Sequence, residues 1–92
     1  MKAKINIVGS NEGGSFLKEY QDQIVNIESL YKDIEANAPP LGILRTENNK
    51  QLSIQLIDVR FIQESIYIQC FVMKEDDSKG GKVLIQLKPI GE

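Results

Sequence analysis

Between Leu52 and Leu87 the apolar residues do not keep to one side of an alternating strand. Leu52, Ile54 and Leu56 point one way, and Ile57, Val59 and Phe61 point the other if the strand stays regular. The next run repeats the pattern, with Ile66, Ile68, Cys70 and Val72 on one face and Tyr67, Phe71 and Met73 on the opposite one. One helix shelters one face of a small sheet, so a second apolar face needs different cover. The expected cover is another copy of the chain or another protein. Ile57, Val59, Phe61, Tyr67, Phe71 and Met73 are the candidate interface residues, a set rich in the aromatic and methionine side chains common at such contacts.

The helix is read from the stretch before these strands. Leu17, Tyr20, Ile24, Ile27, Tyr31 and Ile34 step by three and four, a narrow apolar stripe widened by Phe16 and Leu30. Ser15 suits the N-cap, and Pro39-Pro40 stops the helix because proline lacks the amide and restricts the residue before it. The expectation is one long helix over residues 16–36, docked on the sheet rather than on a second helix. Ala3, Ile5 and Ile7 alternate with Lys4, Asn6 and Val8 in a first strand. A short strand is expected over residues 42–45, then a polar turn at residues 47–50. A long strand over residues 51–62 follows, with Leu56-Ile57 either a bulge or a change of buried face. Strands at 66–74 and 82–88 complete the set, separated by an exposed hairpin loop over residues 75–81.

The order is therefore β-α-β-β-β, with one further short strand. This is a two-layer α+β fold with one long helix packed on a mainly antiparallel sheet, in a single domain over residues 1–92. The strand order is not set by the sequence. A chain this short buries roughly two-thirds of its unfolded surface, so oligomerisation is a natural way to add core.

Charge narrows the partners. The 13 acidic and 11 basic residues are dispersed, giving a net charge of −2 without a basic stripe. Binding to a phosphate backbone relies on clustered lysine and arginine, so nucleic acid is not the expected partner. No run approaches the roughly 18 apolar residues of a membrane span, so no membrane partner is expected and the location is read as cytoplasmic. The single cysteine, Cys70, lies in an apolar run and is read as a buried thiol, in keeping with a reducing compartment.

Three motifs invite chemistry and none carries it. Gly9 and Gly14 have the spacing of a phosphate-binding loop between a strand and a helix. Ser15 and Phe16 stand where such a loop needs its lysine and its magnesium-binding hydroxyl, and Glu12 places a negative charge inside the anion cradle. A connector is the better reading, with non-specific anion binding as the alternative. Asp58 and Arg60 share a strand face and suit an ion pair more than a catalytic carboxylate. Glu75, Asp76 and Asp77 lack the alternating ligands of a calcium loop, and the chain contains no histidine. No catalytic, cofactor or metal site is therefore assigned.

The reading is a small acidic, non-enzymatic interaction protein that self-associates through its sheet and binds another protein. By size and charge alone, it suits an inhibitor or immunity role, or a phage or mobile-element product. The alternatives are a structural subunit of a phage particle or secretion apparatus, and a weak nucleotide or anion binder using residues 9–15.

Overall fold

A computed structural model describes residues 1–10, 15–28, 30, 41–73 and 79–90. Six strands form one antiparallel sheet: β1 (Lys2–Ser10), β2 (Ile24–Asn26), β3 (Leu41–Arg45), β4 (Gln51–Ile62), β5 (Ser65–Met73) and β6 (Lys79–Pro89). Their spatial order is β2-β1-β6-β5-β4-β3. The first strand thus joins the last, and β6, β5, β4 and β3 continue as an antiparallel meander.

The two edge strands meet at one end. Val25 in β2 bridges Thr46 just after β3, and the Glu47 amide donates to the Ile24 carbonyl at 3.0 Å. The sheet therefore curls towards a barrel and covers its own apolar face. Ala3, Ile5, Val25, Leu44, Leu52, Ile54, Ile68, Cys70, Val72, Val83, Ile85 and Leu87 are buried inside it. Closing a sheet removes most of its edge and shelters one face without a helical layer.

This corrects the α+β expectation. No described helix reaches seven residues, and strand dominates the described chain. A six-residue 3-10 helix, Ser15–Tyr20, occupies the start of the expected long helix. Asp22 then takes a φ of 65°, a left-handed geometry that aspartate tolerates better than most residues, and the chain re-enters the sheet as β2. Leu17 and Tyr20 are buried three residues apart, as one turn of 3-10 helix requires. Val25 is buried between the half-buried Ile24 and the exposed Asn26, as a strand with one covered face requires. The apolar stripe is real, but two shorter elements share it. The β-branched pair Ile24-Val25 favours the strand, where branching packs well and costs little rotamer freedom. Ile27, Glu28 and Leu30 are helical, and the rest of the expected helix, residues 31–36, lies outside the described residues.

The 3-10 helix is fastened at the end where the edges meet. The Tyr20 hydroxyl donates to the Gln51 carbonyl at 2.8 Å, and Lys50 pairs with Glu19 at 3.2 Å. The β3–β4 turn is held by Thr46, whose hydroxyl accepts the Lys50 amide at 3.0 Å, while Asn49 adopts a φ of 66°. Asparagine is one of the few residues suited to that backbone.

Candidate functional site

The apparent two-sidedness of β4 is a bulge. Leu56 pairs with Cys70 and Asp58 with Gln69, so Ile57 is the extra residue on its strand. An inserted residue switches every following side chain to the other face. Leu52, Ile54 and Leu56 face the core before it. Val59 and Phe61, set opposite the buried Ile68 and Ile66, face the core side after it. Asp58, Arg60 and Ile62 take the outside.

The six candidate interface residues therefore do not share a face. Val59 packs partly against the core, and Phe61 follows it on the same side. Ile57 stands exposed at the bulge, while Tyr67, Phe71 and Met73 lie half-buried on the outer side of β5. That outer side is largely polar. Gln21 donates to Asn6 at 2.9 Å, Asn6 to Gln86 at 3.0 Å and Gln86 to Ser65 at 3.0 Å, a ladder of side chains across the strands. The Lys82 ammonium lies 5.9 Å from the centre of the Phe71 ring.

Bare apolar surface gathers instead at the far end of β4. Phe61 is 68% exposed, Ile62 51% and Ile57 44%. The strand is unequally supported along its length: β3 pairs with it from Gln51 to Gln55, and among the described residues no strand lies on that side from Leu56 to Ile62. A cavity of about 340 Å³ adjoins this end, its lining including Met1, Ile27, Phe61, Ile66 and Pro89. On the outer face a second hollow, about 300 Å³, is lined by Asp58, Arg60, Ile62, Tyr67, Gln69 and Leu84. The Arg60 guanidinium donates to the Asp58 carboxylate at 2.9 Å, so these side chains form the ion pair their spacing suggested.

The open edge has a defined hydrogen-bonding sense. In an antiparallel sheet each residue sends its N–H and C=O to the same side, and the side alternates along the strand. In β1 the odd-numbered residues face β2: the Ile5 amide donates to the Gln23 carbonyl and its carbonyl accepts the Asp22 amide, both at 2.8 Å. The Ile7 amide likewise donates to the Gln21 side chain at 2.8 Å. Even-numbered residues face β6, as the Lys2 carbonyl does in accepting the Ile90 amide at 3.0 Å. Carried through the registers Asn6↔Gln86, Gln86↔Tyr67 and Tyr67↔Arg60, the alternation turns Arg60 towards β5. Its neighbours Val59 and Phe61 then present their amides and carbonyls to the open side. The tight β4–β5 hairpin agrees: Ile62 opposes Ser65 across Gln63 and Glu64, with Gln63 at a φ of 56°.

The remaining candidates bring no chemistry together. Gly9 and Ser10 belong to β1 and pair with Leu84 and Val83, and the helix that follows is a short 3-10 one. The residues between them, 11–14, lie outside the described set, as do Glu75, Asp76 and Asp77. Cys70 is fully buried; burial pushes its thiol up to about 12, and its sulfur lies 3.8 Å from the Val83 carbonyl. Burial, helped by Glu19, also raises Tyr20. Among the described residues no three His, Cys, Asp or Glu side chains converge to hold a metal ion, and no helix is long and apolar enough to cross a membrane.

Comparison of the chain with protein-family models, with curated proteins and with solved structures gives no match. The alternating pattern and the Leu56-Ile57 pair already carried the signal for the bulge. The open edge had no signal in the sequence, because it depends on how few residues β3 contributes.

Proposed function

We propose that this chain is a non-enzymatic protein-interaction module that self-associates through its sheet, using the outer half of β4. The observation that carries this reading is the coincidence of three features on one segment. Residues 57–62 hold the exposed side chains of Ile57, Phe61 and Ile62, have no described strand on the side away from β5, and turn the backbone groups of Val59 and Phe61 to that side. Exposed, apolar strand edges are unusual in soluble monomers because they template pairing with another chain. Strand addition is correspondingly a common mode of protein recognition. The partners are further copies of the chain and, through the same edge, a strand of another protein. Nucleic acid is not among them in this reading, since the charges are mixed and dispersed. The buried, unreactive thiol fits a reducing, cytoplasmic setting.

Sedimentation equilibrium over a concentration series tests the reading. The wild-type chain should shift from monomer to a larger species as concentration rises, and Phe61→Asp should move that shift to higher concentration with the fold intact. A wild-type chain that stays monomeric to millimolar concentration would overturn it.

A further inference from the structure

We infer that a second copy of this chain adds to the open edge of β4 antiparallel to the first, about a twofold axis at Val59. The inference rests on the self-association proposed above and specifies its geometry. A twofold contact brings the same segment of both copies together, so the segment must be complementary to its own reverse. Residues 57–61, Ile-Asp-Val-Arg-Phe, have that property. Centred on Val59, the register sets Asp58 against Arg60 of the partner subunit and Arg60 against the partner's Asp58. It also sets Ile57 against the partner's Phe61, and Val59 against the partner's Val59. Every charged residue meets its opposite, and every apolar residue meets an apolar one.

The backbone sense selects the same register. Val59 turns its N–H and C=O outward, so two copies meeting at Val59 exchange both bonds and form a hydrogen-bonded pair. Asp58 and Arg60 then occupy the non-hydrogen-bonded positions, where facing Cα atoms come to about 4.5 Å and side chains approach most closely. Their side chains stand on the outer face of each sheet, where the Asp58–Arg60 pair at 2.9 Å within one copy can exchange for two pairs between copies. Moving the twofold axis by one residue, which slips the strands by two, sets Asp58 against the partner's Asp58 or Arg60 against the partner's Arg60. Like charges at facing positions oppose such pairing. The contact is one short strand pair, so the dissociation constant should be on the order of micromolar to millimolar, in the weak class of interfaces.

Disulfide trapping reads the register directly. Facing Cα atoms at about 4.5 Å lie within the range a disulfide spans. Asp58→Cys and Arg60→Cys are prepared separately, then oxidised alone and as an equal mixture at a concentration where the wild type is dimeric. The buried native Cys70 gives little background. The mixture should yield a covalent dimer, and either variant alone should give at least about fivefold less, because each cysteine then faces a charged side chain. Charge exchange provides a second readout free of oxidation. Asp58→Arg should weaken the wild-type dimer by about tenfold or more, since two attractive pairs become repulsive, and adding Arg60→Asp should restore it to within about threefold.

Trapping of a single variant with itself, or no trapping in the mixture while the wild type sediments as a dimer, overturns the register and leaves self-association standing. Failure of the double variant to regain affinity does the same. A wild-type chain that remains monomeric removes both, including the case in which the edge takes only a strand of another protein.

Discussion

The two halves of β4 are built alike and supported differently. From Gln51 to Gln55 the strand lies between β3 and β5, and Leu52 and Ile54 are sealed in the core. From Leu56 to Ile62 it has β5 on one side and no described strand on the other, and Phe61 and Ile62 are largely exposed. The alternation of apolar and polar residues is as good in the second half as in the first once the bulge at Ile57 is allowed for. A strand pattern therefore reports what a segment is able to pair with, and the number of neighbours it finds within the chain is a separate matter.

The halves should separate most clearly on truncation. Ile54→Ala leaves a cavity among fully buried neighbours and should cost about 2–5 kcal/mol in denaturant unfolding. Phe61→Ala, measured on dilute monomer, should cost less than about 1 kcal/mol because its ring is mostly in solvent already. Equal losses at the two positions would mean that the outer half is as enclosed as the inner one.

Proline sharpens the comparison within the outer half. Arg60→Pro removes an amide that bonds to β5 and should cost about 3 kcal/mol, whereas Phe61→Pro removes one that points away from β5 and should cost about 1 kcal/mol or less. Thermal unfolding of both variants checks the assigned sense of the edge. Reversal of that order would show that Val59 and Phe61, not Arg60, bond to β5.

A smaller effect belongs to the closed region. The Cys70 thiol ionises near pH 9.0 in the unfolded chain, but burial pushes it up to about 12 in the folded one. Above pH 9 the unfolded state loses a proton that the folded state keeps, so this group's contribution to stability falls by about 1.4 kcal/mol per pH unit up to pH 12. Cys70→Ala should lose that component, seen as a shallower decline than the wild type's in unfolding measured from pH 8 to pH 11. Identical slopes would contradict the burial of the thiol. The smallest expected change is at the outer half: Asp58→Asn should alter monomer stability by less than about 0.5 kcal/mol, since the Asp58–Arg60 pair is exposed to solvent.

The strands were largely legible in the sequence, and the layers were not. The alternation over Gln51–Ile62 marked β4 at both ends, and the first and last strands were visible from Ala3, Ile5 and Ile7 and from the run ending at Pro89. The helix over residues 16–36 failed because three-and-four spacing is satisfied locally by a 3-10 turn at Leu17 and Tyr20 followed by a strand at Ile24–Asn26. The excess of apolar surface was assigned to a second sheet face because closure into a near-barrel is a property of strand order, and the pairing of β1 with β6 joins residues about eighty apart. Val59 and Phe61 were singled out as contact residues from a face they do not occupy. Their place in the proposed contact rests on the edge instead.

Amide hydrogen exchange of the wild-type chain at Asp58, Val59, Arg60 and Phe61, followed from dilute to concentrated solution, tests the open edge most directly. Asp58 and Arg60 should be protected throughout by β5, while Val59 and Phe61 should exchange freely when dilute and become protected as the chain associates. Strong protection of Val59 in the dilute monomer, or its continued free exchange in a fully associated sample, would contradict the account.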